Sequence, residues 1–141
     1  MSFFITGTGL VVREWIDQNQ HVNISRYTEI VDRSLQNLSE LPGSIYGLLS
    51  KDVTYVASRS TMHYLKELII DMPWSVSGAF ISFNSTYFET VHIVTSEDKR
   101  IGRFFVKCSY FSLVTRNAVR LSENQMGQFT IPILREIVSP F

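Results

Sequence analysis

The sequence predicts an α+β fold in which a curved antiparallel β-sheet wraps around one long central α-helix. Three observations lead there. One stretch, residues 24 to about 39, repeats its apolar side chains at the helical period. The segments after residue 53 are strand-like, with Phe104, Val106, Cys108 and Tyr110 alternating with Lys107 and Ser109. The connections between those later segments are of hairpin length, too short for the crossover helices that a parallel sheet needs.

The elements follow in order. Phe3 to Ile16 is rich in Val, Ile, Leu and Phe and carries Gly7 and Gly9 inside it, which reads as a strand bent or bulged near the glycines. Thr6-Gly7-Thr8-Gly9 lacks a third glycine and a helix opening behind it, so it is not a dinucleotide fingerprint. From Ile24 the period changes: Ile24, Tyr27, Ile30, Val31, Leu35 and Leu38 form one stripe, with Arg26, Glu29, Asp32, Arg33 and Gln36 opposite. That spacing predicts a helix of about 16 residues, ~24 Å long at ~1.5 Å per residue, stopped by Pro42 and Gly43. Strands are expected at residues 53–68, 74–83, 86–95 and 102–115, with a short one near 118–121. Asp71-Met72-Pro73, Asn84-Ser85 and Ser96-Glu97-Asp98-Lys99 supply the turns. A last segment, Phe129 to Val138, reads as a short helix bounded by Pro132 and Pro140.

Composition narrows the function. With 141 residues, 45% of them hydrophobic, the chain is expected to form a single domain with a core of its own. The 13 basic and 13 acidic residues cancel, and no basic run exceeds Lys99-Arg100, so the footprint of a nucleic-acid binder is missing. No apolar run approaches the ~18 residues of a membrane span, and Met1 to Thr6 carries no basic signal region. A soluble cytoplasmic protein is the expectation, and Asn-x-Ser/Thr matches at Asn23, Asn37 and Asn84 are read as chance. Cys108 is the sole cysteine and reads as a small buried hydrophobe. His21, His63 and His92 lie on three separate elements with no metal-ligand spacing, so neither a metal nor another cofactor is expected.

The stretch richest in chemistry lies just before the helix. Asp17, Asn19, His21 and Asn23 recur at two-residue spacing, bringing a carboxylate and an imidazole to a helix N-terminus with unpaired N–H groups. Such a set can take a proton from water while the helix end stabilises an oxyanion. Polar residues there also simply cap helices, and the spacing alone leaves both readings open.

Asp-x-Asn-x-His-Val-Asn-x-x-x-Tyr, written here as Asp17, Asn19, His21, Val22, Asn23 and Tyr27, resembles the signature before the central helix of hotdog-fold thioesterases, of the 4-hydroxybenzoyl-CoA and acyl-ACP types. Glu14-Trp15 ahead of it is similar to the form in thioesterases of carnitine and betaine metabolism. Met62-His63-Tyr64-Leu65-Lys66 resembles the family's second-strand motif, with His63 where the acyl-ACP branch carries glutamate, and Gln20 stands where much of the family has glycine. The likeness spans roughly residues 8 to 122, leaving 123–141 as a tail. It implies an acyl-CoA thioesterase in which Asp17 is general base or nucleophile and Asn19 and His21 orient water or carboxylate. The N–H of Ile24 would polarise the thioester carbonyl, and Asn23, Tyr27 and His63 would contact substrate. An acyl-ACP thioesterase, or a hotdog protein that binds an acyl thioester without hydrolysing it, are the alternatives. The resemblance also implies a homodimer joined edge to edge, or a dimer of dimers.

Overall fold

The computed structural model describes residues 3–141. Strand β1 (Phe4–Leu10) leads through a short turn of 3₁₀-helix to α1 (Ile24–Ser39); β2 (Val53–Tyr64), β3 (Pro73–Phe83), β4 (Tyr87–Ser96) and β5 (Lys99–Ser112) follow. The five strands form one sheet in the order β1-β3-β4-β5-β2, every neighbour antiparallel. β3, β4 and β5 make a meander. β2, earlier in the chain, pairs with β5 and so forms the sheet edge opposite β1. The bulge expected near the glycines appears as a register shift between Ile5 and Gly7.

The turns have simple causes. Asn84 Oδ1 accepts from the N–H groups of Thr86 and Tyr87, at 2.9 and 3.0 Å, and so closes the β3–β4 connection. At the β4–β5 hairpin Glu97 and Asp98 both take positive φ, 50° and 65°, the combination that matches the twist of the flanking strands.

Helix α1 spans 16 residues, as its apolar spacing predicts. Tyr27, Ile30, Val31, Leu35 and Leu38 bury its stripe against a core that includes Phe80, Phe88, Phe104 and Tyr110 from the sheet. At its far end Gly43 has φ 79°, and a side chain there would meet the Thr130 hydroxyl.

A buried hydrogen-bond chain ties helix to sheet. Ser34 Oγ lies 2.5 Å from Thr6 Oγ1 and 2.6 Å from His92 Nδ1, while Thr90 Oγ1 is 2.8 Å from His92 Nε2. The Thr6 hydroxyl donates to the Val76 carbonyl at 3.3 Å. Proton order follows from that end: Ser34 donates to Thr6, Nδ1–H of His92 donates to Ser34, and Thr90 donates to Nε2. Every group is satisfied with the imidazole neutral. His92 is fully buried, and desolvation drives its pKa down to about 3.

A second apolar cluster lies on the other face of the sheet. Ala79, Val91, Ile93 and Phe105 pack there against Leu134, Ile137 and Phe141 of the C-terminal segment. That segment is not the helix expected at residues 129–138. Leu134 N donates to Phe80 O at 2.8 Å and Ile133 bridges Phe80 in parallel, so its backbone is drawn onto the sheet instead. The tail's helix comes earlier, α2 (Glu123–Met126), fixed by reciprocal Ser122–Gln125 capping. The strand expected near 118–121 is reduced to a single bridge, Phe111 with Ala118.

Candidate active site

The polar run before α1 folds into a miniature hairpin. Ile16 bridges Val22, Asp17 N donates to His21 O at 3.2 Å, and Gln20 N donates to Asp17 O at 3.1 Å. Closing so small a loop puts Gln20 at φ 65°, a left-handed conformation that glycine would adopt without a steric cost. Val22 is buried and its N–H donates to Leu68 O at 2.8 Å, so the hairpin is anchored to the segment after β2.

The hairpin aims the Asp17 carboxylate. Oδ1 accepts from the Asn19 backbone N–H at 2.8 Å, and Oδ2 accepts from Asn23 Nδ2 at 3.2 Å. Each oxygen keeps a lone pair, and Asp17 remains partly exposed. Asn23 serves two ends at once: its Oδ1 accepts from Ser25 N at 3.0 Å as the N-cap of α1, while its amide steadies the carboxylate. His21 Nδ1 lies 3.2 Å from the Val22 carbonyl, which can only accept, so the proton sits on Nδ1 and Nε2 stays basic in the neutral ring.

Among the described residues no group accepts from the Ile24 N–H, the first of the helix. It is one of the unpaired donors at the positive end of the helix dipole.

These groups converge on a cavity of about 490 Å³. Asp17, Asn19, His21, Asn23, Ile24 and Tyr27 line it from the hairpin and helix, and the opposite wall is residues 64–67. Tyr27 and Tyr64 of the lining form an aromatic cluster with Phe104 of the core, with centroids 5.3, 5.7 and 6.0 Å apart in the Tyr27–Tyr64, Tyr64–Phe104 and Tyr27–Phe104 pairs. Burial pushes the Tyr27 phenol up, so it stays protonated and able to donate.

His63 is not brought to this cavity. It lies opposite Arg103 on β5, and its ring approaches Phe105 of the outer-face cluster at 6.0 Å. Successive strand residues point to opposite faces, and Met62, opposite Phe104 in the core, fixes the parity. Tyr64 therefore faces the site. The sequence carried that signal in the apolar Met62 two positions earlier, whereas Leu65, Lys66 and Glu67 lie past the strand's end, where no period applies.

The other candidates stay outside the site. Cys108 is buried in the core, and desolvation pushes its thiol up to about 12, far from a reactive thiolate. Among the described residues no cluster of three or more His, Cys, Asp or Glu could hold a metal ion, and no helix is long and apolar enough to cross a membrane.

Residues 11–129 match the model of the thioesterase-like superfamily. Among solved structures, the chain is similar to the YbaW probable thioesterase of Escherichia coli at TM-score 0.77 and 16% identity, over 89% of this chain and 98% of that one. It is similar to the SAV2348 protein of Staphylococcus aureus, solved in complex with CoA, at TM-score 0.75 and 20% identity, over 91% and 83%. A 1,4-dihydroxy-2-naphthoyl-CoA thioesterase from Synechocystis aligns at TM-score 0.72 and 10% identity, over 89% and 94%. At such identities these likenesses speak for the fold. No curated protein matches the chain by sequence.

Proposed function

Because this chain belongs to the thioesterase-like superfamily, whose hotdog fold it shares, we propose that it hydrolyses an acyl-CoA thioester to the free acid and CoA. The observation that carries this reading is the convergence of the Asp17 carboxylate and the unpaired Ile24 N–H on one cavity lined by Tyr27 and Tyr64. The CoA bound to the Staphylococcus aureus structure supports CoA as the carrier.

The thioester carbonyl oxygen accepts from Ile24 N–H, where the helix dipole favours the negative charge that develops as the carbonyl carbon is attacked. Asp17 takes a proton from the attacking water, and His21 and Asn19 keep water and carboxylate in register. The tetrahedral intermediate collapses by breaking the C–S bond, and the thiolate leaves and is protonated. In the nucleophilic variant an Asp17 oxygen attacks instead, expelling thiolate to give a mixed anhydride that water then opens. Single turnover in ¹⁸O-water separates the two, because only the anhydride route can leave heavy oxygen in Asp17. Asn23 holds the carboxylate and caps the helix, and Tyr27 and Tyr64 bound the acyl pocket.

A second copy of the chain completes this reading. β2 pairs on one side only, so its other edge offers unpaired backbone groups. Tyr64 and Leu65, 42% and 56% exposed, stand at the end of that edge beside the cavity. Two copies pairing along β2 would cover them and close the site, and light scattering after size exclusion should return twice the 16.2 kDa chain mass.

The decisive experiment is a hydrolysis screen from acetyl- to palmitoyl-CoA, including aromatic and quaternary-ammonium acyl groups, with Asp17→Ala beside the native protein. Loss of a positioned acid–base group typically costs about 10²- to 10⁴-fold. Undiminished turnover in a well-folded Asp17→Ala protein would overturn the assignment.

A further inference from the structure

A separate cavity of about 340 Å³, largely apolar but flanked by two basic side chains, opens on the outer face of the sheet. Lys107 and Arg120 flank it, with Tyr87, Ser109, Thr86 and Val119 completing most of the lining. The fold fixes the Lys107 ammonium and the Arg120 backbone. The Lys107 ammonium rests 4.1 Å from the centroid of the Tyr87 ring. Arg120 sits between two backbone anchors, Val119 N to Tyr110 O at 3.0 Å and Leu121 N to Ser85 O at 2.9 Å.

Neither cation has an acid of its own at the cavity. No carboxylate lines the cavity, and among the described residues no acid lies within ion-pair distance of Lys107 or Arg120. Glu89 stands opposite Lys107 in the ladder but is buried beneath the tail, where its carboxylate accepts from the Ser139 hydroxyl, and it lines no part of the cavity. Arg59, Lys107's neighbour on β2, lies over the Phe141 ring at 5.1 Å. Thr86 donates its hydroxyl proton to Asn84 at 2.9 Å, whereas Ser109 reaches only Ser58, at 3.5 Å, and is free to turn.

Two cations facing one cavity whose lining holds no carboxylate repel each other, and an anion seated between them removes that repulsion. A point-charge ammonium beside a planar guanidinium fork suits a phosphoryl group, which offers three oxygens and up to two charges. We propose that this cavity binds a phosphate monoester, held by Lys107, Arg120 and the Ser109 hydroxyl. The proposal is independent of the hydrolase reading, since none of these residues lines the Asp17 cavity.

The test is an amide-resolved NMR titration at low ionic strength with inorganic phosphate, CoA and 3′-dephospho-CoA. The native protein, Lys107→Met, Arg120→Ala, Lys107→Arg and Asp17→Ala are compared. Phosphate should shift the amides of residues 86–87, 107–109 and 118–120 saturably, while those of residues 17–24 stay still. Affinity should fall about tenfold or more in Lys107→Met and Arg120→Ala, as loss of a charged hydrogen bond implies. Lys107→Arg, which keeps the charge, should bind, and Asp17→Ala should bind as the native protein does even where hydrolysis is lost. Shifts of the cavity amides by CoA but not by its dephospho form would identify the 3′-phosphate of CoA as the occupant. No response to either, with phosphate binding intact, would assign the cavity to a free phosphorylated metabolite, and equal shifts by both would place the CoA diphosphate there and overturn the monoester proposal. No saturation at tens of millimolar phosphate, or unchanged binding in Lys107→Met and Arg120→Ala, would overturn the proposal.

Discussion

Replacing Ile24 by proline removes the N–H that we propose polarises the thioester carbonyl and leaves the rest of the site in place. Proline is at home at the first position of a helix, where its missing N–H has no intrahelical partner to lose. The preceding residue already has the backbone a proline demands: Asn23 sits at φ −65°, ψ 145°, in the extended region. Ile24 itself is 61% exposed, so losing its side chain uncovers little core. Stability should therefore stay within about 1 kcal/mol of the native value, with the Asn23 cap still closing on Ser25. The chemical step should lose what one preorganised oxyanion donor is worth, ~2.7 to 4 kcal/mol, or about 10²- to 10³-fold in kcat. The assay is steady-state hydrolysis of the best acyl-CoA found in the screen, with melting curves and Ile24→Ala as the side-chain control. A well-folded Ile24→Pro protein that turns over within about threefold of Ile24→Ala would refute the role given to this N–H.

Two further outcomes concern stability. His92 has its pKa lowered to about 3 by burial against an ordinary 6.5, so the unfolded chain binds the extra proton. Its contribution is complete above pH 6.5 and drains as pH falls toward 3, at about 1.4 kcal/mol per pH unit, reaching ~2 kcal/mol at pH 5. Urea unfolding of native and His92→Gln proteins between pH 7 and 5 checks this: the variant should start lower and fall less steeply, and parallel profiles would disprove the linkage. Gln20→Gly should raise stability by about 1 kcal/mol by relieving the left-handed residue in the Asp17 hairpin, read as a higher urea midpoint. A lower midpoint would show that the glutamine side chain makes an unrecognised contact.

Local patterning was legible where one period governed one face. The stripe from Ile24 to Leu38 located α1 at both ends, because a helix burying one side writes its period directly into the chain. Strand ends were harder. β2 stops at Tyr64 rather than Leu68, since residues 65–71 turn to cover the hairpin at Val22. β5 starts at Lys99 because two acidic residues accept positive φ and make the turn tighter than its composition suggests. The tail covers the outer side of β4, so Phe88 to Val94 are all buried and alternation disappears there. Asp17, Asn19, His21, Asn23, Ile24 and Tyr27 line one cavity because they are close in sequence and one hairpin brings them together. His63 lies one residue of parity away, on the outer face, and residues 65–67 depend on long-range pairing that no local pattern carries.

The last dozen residues lie along the sheet as its lining, with Phe141 against Arg59 and Ser139 on the buried Glu89. Without that lining the greasy patch around Phe105 would lie bare. Stacking of two copies through this side would require that lining first to peel away, which leaves the helix-bearing side and the β1 and β2 rims as the open surfaces.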